Sequence, residues 1–400
     1  MRENFSTLKV FKFSVRINLI NKQDACPTNS HWTIDLQKAI NNRRQQMKNR
    51  KESNIMKKLL FLILIMMTSL LMAEKTPRVF IFTDINIDQG DPDDRQSLVH
   101  LLWYADELAI EGIVPDRWSA QGYEACQLAL EAYAKDYETF DLAEKSYPVP
   151  DTLKEKIATD LDDAMDKFKR AAFQSDDPLY VLIWGNMLNF GKALRQNPEY
   201  AANLRIITIG THLMMEAHRQ YLPEDWEKAE VPCEQYNWNG FGRNDIFNDP
   251  RFIDLWWLEI NWTYEGMFSG DEPKEMFAKL SKYGALGNHI KEVVKNQEWA
   301  KYFRVGDTPS VLYVIDPGHD LNDPTEPSWA GTFKKPFPRK RPVYYTDDNG
   351  PVEWDYENPC NTWDNHIKMN AYAKSTLEEQ RPEMYKTLLQ KLDKIYQQPE

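Results

Sequence analysis

The run Arg78-Val-Phe-Ile-Phe-Thr-Asp84, continuing Ile85-Asn-Ile-Asp88-Gln-Gly-Asp91-Pro-Asp93-Asp94-Arg-Gln-Ser97, decides how the rest of the chain is read. Six residues of apolar strand pattern stop abruptly in acid. Asp84, Asp88, Asp91, Asp93 and Asp94 fall within eleven residues, and a helical pattern resumes at Ser97-Leu-Val-His-Leu-Leu-Trp-Tyr104. Carboxylates this close repel one another unless a cation or a set of hydroxyl groups sits among them. In an open α/β sheet the carboxyl ends of the strands are where ligands bind. The stretch therefore predicts a divalent-cation site at a strand end, with calcium the expected ion.

Working outward, short apolar runs alternate with helical patterns. Strands are expected at Leu108–Val114, Pro178–Gly185, Leu204–Gly210 and Trp256–Asn261, with helices near 120–137, 152–172 and 186–194. Further helical patterns run through Val294 and from about His366 to Tyr396. Continuous apolar runs bounded by turn residues mark strands covered on both faces. The predicted class is α/β, a mostly parallel central sheet flanked by helices in one large domain. Residues 223–250 form a long loop rich in aromatic residues and Asn, and 317–362 read as an irregular excursion rich in Pro, Gly, Asp and Trp.

Met56-Lys-Lys-Leu-Leu-Phe-Leu-Ile-Leu-Ile-Met-Met-Thr-Ser-Leu-Leu-Met-Ala73 has the basic start, apolar centre and small final residue of a secretory signal peptide. The expected organisation is an extension or disordered tail at 1–55, a signal peptide at 56–73 and a folded domain at 74–400. That places the mature protein in the periplasm or outside the cell. The whole chain carries −12; residues 1–73 hold 13 of its 49 basic and 4 of its 61 acidic residues, leaving 36 against 57, or −21. Such a surface argues against nucleic acid or an anionic membrane as partner, and is compatible with cations and neutral sugars. Cys126, Cys233 and Cys360 show no metal-ligand spacing; Cys126 reads as a core thiol, and Cys233 and Cys360 could pair.

Several acidic-loop chemistries fail on particular residues. Asp84-Ile-Asn86-Ile-Asp88 starts like an EF-hand, but Gln89 stands at the turn glycine and Arg95 at the bidentate Glu. A haloacid-dehalogenase phosphatase needs Asp where Asn86 stands. Walker, dinucleotide-binding and serine-hydrolase signatures are absent from the sequence. The pattern of Thr83-Asp84, Asp91-Pro-Asp93-Asp94-Arg-Gln-Ser-Leu98, Glu111-Gly-Ile-Val114, Leu179-Tyr-Val-Leu-Ile-Trp-Gly185, Gly306-Asp307-Thr-Pro-Ser-Val-Leu-Tyr313 and Pro327-Ser-Trp-Ala-Gly331 instead resembles the nucleoside-hydrolase-like family described from a cellulose-binding protein. That family is related to the calcium-dependent inosine-uridine nucleoside hydrolases.

The resemblance implies a calcium-dependent hydrolase of N-glycosidic or related glycosidic bonds. It implies calcium ligands at Asp84, Asp94, Asp307 and the Leu188 carbonyl, with Asp84 also the base that takes a proton from the attacking water. It implies sugar-hydroxyl binding at Asp93. Asn244 and Asp245 lie near the place of a ribose-binding Asn. Two departures stand out: the loop between Asp84 and Asp93 is longer, and Gly306 replaces the His that some relatives place before the late aspartate. A leaving-group acid has to come from elsewhere, with His212 and Asp116 candidates from their strand-end positions, or the leaving group is not a purine or pyrimidine. The other reading is a carbohydrate-binding protein that keeps the fold and the cation without turnover. The expected partners are a sugar or nucleoside-like small molecule, with a polysaccharide and a homo-oligomer left open.

Overall fold

The computed structural model describes residues 38, 40–50, 57–58, 75–87, 92–212, 239–357 and 361–397. Asp88, Asp91, Cys233, Cys360, much of the aromatic loop and nearly all of the expected signal peptide lie outside them. The chain falls into two compact units, 1–75 and 76–400, and the second carries everything below. No helix among the described residues is long and apolar enough to cross a membrane.

Strand β1 is Arg78–Thr83, buried at every position. It pairs in parallel with β2 (Ala109–Pro115) on one side and β3 (Leu179–Trp184) on the other. β4 (Leu204–Ile209) and β5 (Trp256–Ile260) continue the parallel series. The alternation of side chains along a strand builds two cores from one run. Val79 and Ile81 join the cluster on one face; Phe80 and Phe82 join the other.

The first face is covered by α1 (Asp93–Trp103), α2 (Gly122–Thr139), α3 (Pro150–Lys156), α7 (Glu272–Leu280), α8 (Gly284–Val293) and α9 (Pro309–Ile315). The second is covered by α4 (Leu161–Phe173), α5 (Leu188–Gln196) and the short α6 (Arg243–Phe247). Phe168 of α4 meets Phe80, Phe82 and Phe190 edge to face, with ring centroids 5.1–5.9 Å apart. Cys126 is a buried free thiol in α2, as its apolar run predicts.

The irregular excursion at 317–362 conceals two strands. β7 (Tyr344–Asp347) adds to β5 in parallel, Trp257 opposite Tyr344, and β6 (Phe333–Lys334) pairs antiparallel with β7. The sheet order is β2-β1-β3-β4-β5-β7-β6. Strands of four and two residues between proline-rich segments carry too little periodicity to be seen locally. The C-terminal helical run divides into α10 (Trp363–Glu378) and α11 (Arg381–Ile395), with Pro382 in the first turn of α11.

Candidate active site at the carboxyl edge of the sheet

The geometry starts from Thr83, the last residue of β1. Its hydroxyl donates to Asp94 Oδ1 and accepts from the backbone N–H of Ile85 at 3.1 Å. One small side chain thus shapes the turn out of the strand and fixes the carboxylate in the first turn of α1. Asp93 Oδ1 accepts from the backbone N–H of Asp94 at 3.1 Å. Asp307 reaches the same place from the segment before α9, which is anchored by hydrogen bonds. Ser310 Oγ donates to the Asp307 carbonyl at 2.6 Å and accepts from Trp184 Nε1 at 2.7 Å. The Arg304 N–H donates to Gln96 Oε1 of α1 at 2.8 Å.

Asp93, Asp94 and Asp307 each offer a carboxylate oxygen, all within 4.8 Å of one another. Asp94 and Asp307 are only 7% and 4% exposed. Burial, then the negative charges of Asp307, Asp84 and Asp93, push the Asp94 carboxyl well above its ordinary pKa. Three hard oxygen donors in that arrangement, in surroundings that penalise uncompensated negative charge, could hold a metal ion.

Asp84 follows Thr83 directly. Its Oδ2 lies 2.6 Å from Nη2 of Arg117, which follows β2. Its charge acts on both Asp94 and Asp116. The close group of oxygens thus consists of Asp93, Asp94 and Asp307, with Asp84 beside it and engaged by a cation. Asp93, expected to hold sugar hydroxyls, is one of the three converging carboxylates.

The neighbouring strand ends complete the floor. Asp116 N–H donates to the Thr83 carbonyl at 2.8 Å, extending the β1–β2 ladder by one step. Asn189 Nδ2 donates to Asp116 Oδ1 at 3.1 Å. Burial raises the Asp116 carboxyl to about 7; the Asn189 hydrogen bond opposes the shift and the Asp84 charge adds to it. Leu188, the first residue of α5, has its N–H on Asn186 Oδ1 at 3.0 Å and is an exposed side chain, 48% accessible. Gly185 lets Asp84 approach β3, for a Cβ there would stand 3.0 Å from the Asp84 Cβ. At Gly306 a Cβ would stand 3.0 Å from Asp93 Oδ2 and 3.4 Å from the Phe268 ring. A side chain at 306 therefore requires the Asp93 carboxylate to give by a few tenths of an ångström.

The remaining expected residues lie over other strands. His212 follows β4, and its backbone N–H donates to Asn261 Oδ1 at 2.9 Å. Burial pushes the imidazole down to about 3, so it is neutral. Asn244 Oδ1 accepts from Arg243 Nη1 at 3.1 Å and lines a cavity together with His212. Asp245 points elsewhere: it pairs with Arg195 at 3.2 Å with its side chain 58% exposed. Arg117, Asn189 and Asn261 were not among the residues expected from the sequence. The one available signal was position, each being polar and just beyond a buried strand or at the start of the helix that follows it.

The profile of a protein family described as "Cellulose-binding Sde182, nucleoside hydrolase-like domain" matches residues 78–333. The chain belongs to this family. No curated protein sequence matches it. Among solved structures, a nucleoside hydrolase-related protein of Saccharophagus degradans, described as associated with carbohydrate metabolism, is similar in fold. It has a TM-score of 0.52 at 16% identity, covering 81% of this chain and 73% of its own. An inosine-guanosine nucleoside hydrolase gives 0.45 at 12% identity, over 82% and 100% of the two chains. The inosine-uridine preferring nucleoside hydrolase of Bacillus anthracis gives 0.39 at 13%, over 60% and 82%. The fold is nucleoside-hydrolase-like.

Proposed function

We propose that the protein hydrolyses a glycosidic bond, N-glycosidic or related, at the acid cluster, using a divalent cation that we take to be calcium. The observation that carries this reading is the convergence of Asp93, Asp94 and Asp307 oxygens within 4.8 Å. Asp84 and the Leu188 carbonyl are the further ligands this reading assigns. A bound cation supplies acidity to a water molecule and fixed coordination for sugar hydroxyls. The chain's own residues do the rest. Asp84, paired with Arg117 at 2.6 Å, is the base at the strand end. Asp93 orients the sugar, and Asp116, beside Asp84 and held by Asn189, is the carboxyl placed to donate a proton to the leaving group. His212, neutral and buried, is the poorer acid. The clustered negative charge favours an oxocarbenium-like transition state.

A screen of nucleosides and glycosides, with calcium and with chelator, tests the reading. Turnover that needs the cation and disappears in Asp84→Ala supports it. Within this reading the segment 56–73 exports the protein, and a mature N-terminus near residue 74 in material recovered outside the cytoplasm is the expected result.

The second reading, a carbohydrate-binding protein without turnover, is favoured by one observation: the side chain that should act as base is engaged by Arg117. It predicts saturable sugar binding with no release of base or reducing sugar from any substrate in the screen.

A further inference from the structure

Arg117 stands two residues beyond the end of β2, and its backbone is fixed. Its carbonyl accepts from the N–H groups of Ala120 and Gly122, both at 3.0 Å, and Gln121 between them adopts the left-handed region at φ 61°. The turn is packed against the exit of β1. Ile87 N–H donates to the Ala120 carbonyl at 3.1 Å, and a Cβ on Gly122 would stand 2.7 Å from the Ile85 carbonyl oxygen. A non-glycine residue with positive φ is held there by its surroundings, not by its own preference. The turn therefore sets where the Arg117 side chain starts, whereas the side chain itself is 43% exposed and free to change rotamer.

That side chain places Nη2 2.6 Å from Asp84 Oδ2. The contact differs in kind from the buried arginine pair of this chain. Arg243, 3% exposed and lining the same cavity as His212, meets the two oxygens of Glu259 at 2.9 and 2.8 Å. Breaking a buried pair of that kind leaves a charge without a partner or water. Parting Arg117 from Asp84 leaves a guanidinium that water solvates, so this pair is open to exchange.

Asp84 has a second claim on it. Its charge bears on Asp94 and Asp116, yet it is not among the carboxylates of Asp93, Asp94 and Asp307 that converge within 4.8 Å. For Asp84 to join them its side chain has to turn, and turning draws Oδ2 off Arg117. A divalent cation and Arg117 thus compete for one carboxylate, at a strand end where three further carboxylates repel it.

We propose that Arg117 is an internal counter-cation for Asp84. It holds the carboxylate while no metal ion is bound and gives it up when one binds, and so it sets the cation affinity of the site. The inference rests on the cation reading of the acid cluster and adds its regulation. It also reconciles the pairing of Asp84 with its role as base, because the pairing belongs to the cation-free form.

Calorimetric titration of the purified protein with calcium tests it. Arg117→Gln is expected to bind calcium about threefold tighter or more, and Arg117→Lys, which keeps a cation in reach of Asp84, to stay near the parent. Thermal unfolding gives a second readout. Arg117→Gln is expected to lower Tm in chelator, where the cluster loses its counter-charge, and not in saturating calcium. The loss in chelator is expected to vanish when Asp84 is already Asn. That double-variant comparison separates the pair from the acids of residues 88–91, which lie outside the described residues. Unchanged or weaker calcium binding in Arg117→Gln overturns the proposal, since a carboxylate shared by the cation and Arg117 gives that sign. A Tm loss of equal size in chelator and in calcium also overturns it, marking a merely structural side chain. Failure of the cation reading looks different: neither the parent nor any variant binds calcium saturably, and the proposal falls with it.

Discussion

At the scale of single residues, the acid cluster is a place where stability is given up. Asp94 is held to Thr83 but surrounded by Asp307, Asp84 and Asp93, and its carboxyl is pushed well up. Asp94→Asn keeps the shape and the acceptor for Thr83 while removing a charge. In chelator its Tm is expected to rise, by about 2–4 °C per kcal/mol of repulsion relieved, and the rise that calcium is expected to produce in the parent is expected to vanish in the variant. Differential scanning calorimetry with and without calcium reads both effects. Asp116 gives a pH signature. Its folded carboxyl titrates at about 7, above the unfolded value of 3.8, so its contribution is present in acid and is lost as pH climbs from about 4 to 7. Urea midpoints in chelator are expected to fall over that window, and Asp116→Asn to flatten the fall.

At the scale of elements, α9 is a positioning device. Ser310 ties the Asp307 carbonyl to the Trp184 indole, joining the start of the helix to the end of β3. Ser310→Ala leaves a buried indole N–H without its acceptor, a loss of about 1–3 kcal/mol. The sharper expectation concerns binding: calcium affinity falls with Asp307 still present, measurable by titration at a temperature where the variant is folded. The aromatic and polar layer around Arg243 is an element-scale feature as well. Arg243→Met leaves Glu259 buried against Tyr344 and Thr211 without its cation. A loss of about 3–5 kcal/mol is expected in equilibrium unfolding. A loss below about 1 kcal/mol means the pair is compensated elsewhere.

At the scale of the molecule, the parallel strands β1 to β5 present their functional groups along one edge. The β1, β2 and β3 ends carry Asp84, Asp116 and Asn189; the β4 and β5 ends carry His212 and Asn261. Of the residues expected to form one site, Asp84, Asp93, Asp94, Asp116 and Asp307 gather near the β1 end, and the start of α5, which carries Leu188, adjoins them through Asn189. Asn244 and His212 belong to the second cavity, and Asp245 to a surface ion pair. Sequence order could not separate these sets, because all follow strands of one parallel sheet and only the strand order fixes which ends are neighbours.

The sequence by itself determined the five long parallel strands, the helices between them and the acid run after β1. Continuous apolar runs and helical periodicity are local signals, and five carboxylates within eleven residues are a local anomaly. The tertiary structure alone decided three things. It drew Asp307, which the family resemblance singles out but no local signal joins to the acid run, into the cluster from more than two hundred residues away, through Ser310 and Trp184. It placed Arg117 on Asp84, because parallel pairing brings the β1 and β2 ends side by side. It assembled the Arg243–Glu259 cavity from an isolated helix, two strand ends and a segment that reads as irregular. Each is a long-range juxtaposition set by strand order and packing, and neither composition nor periodicity records it.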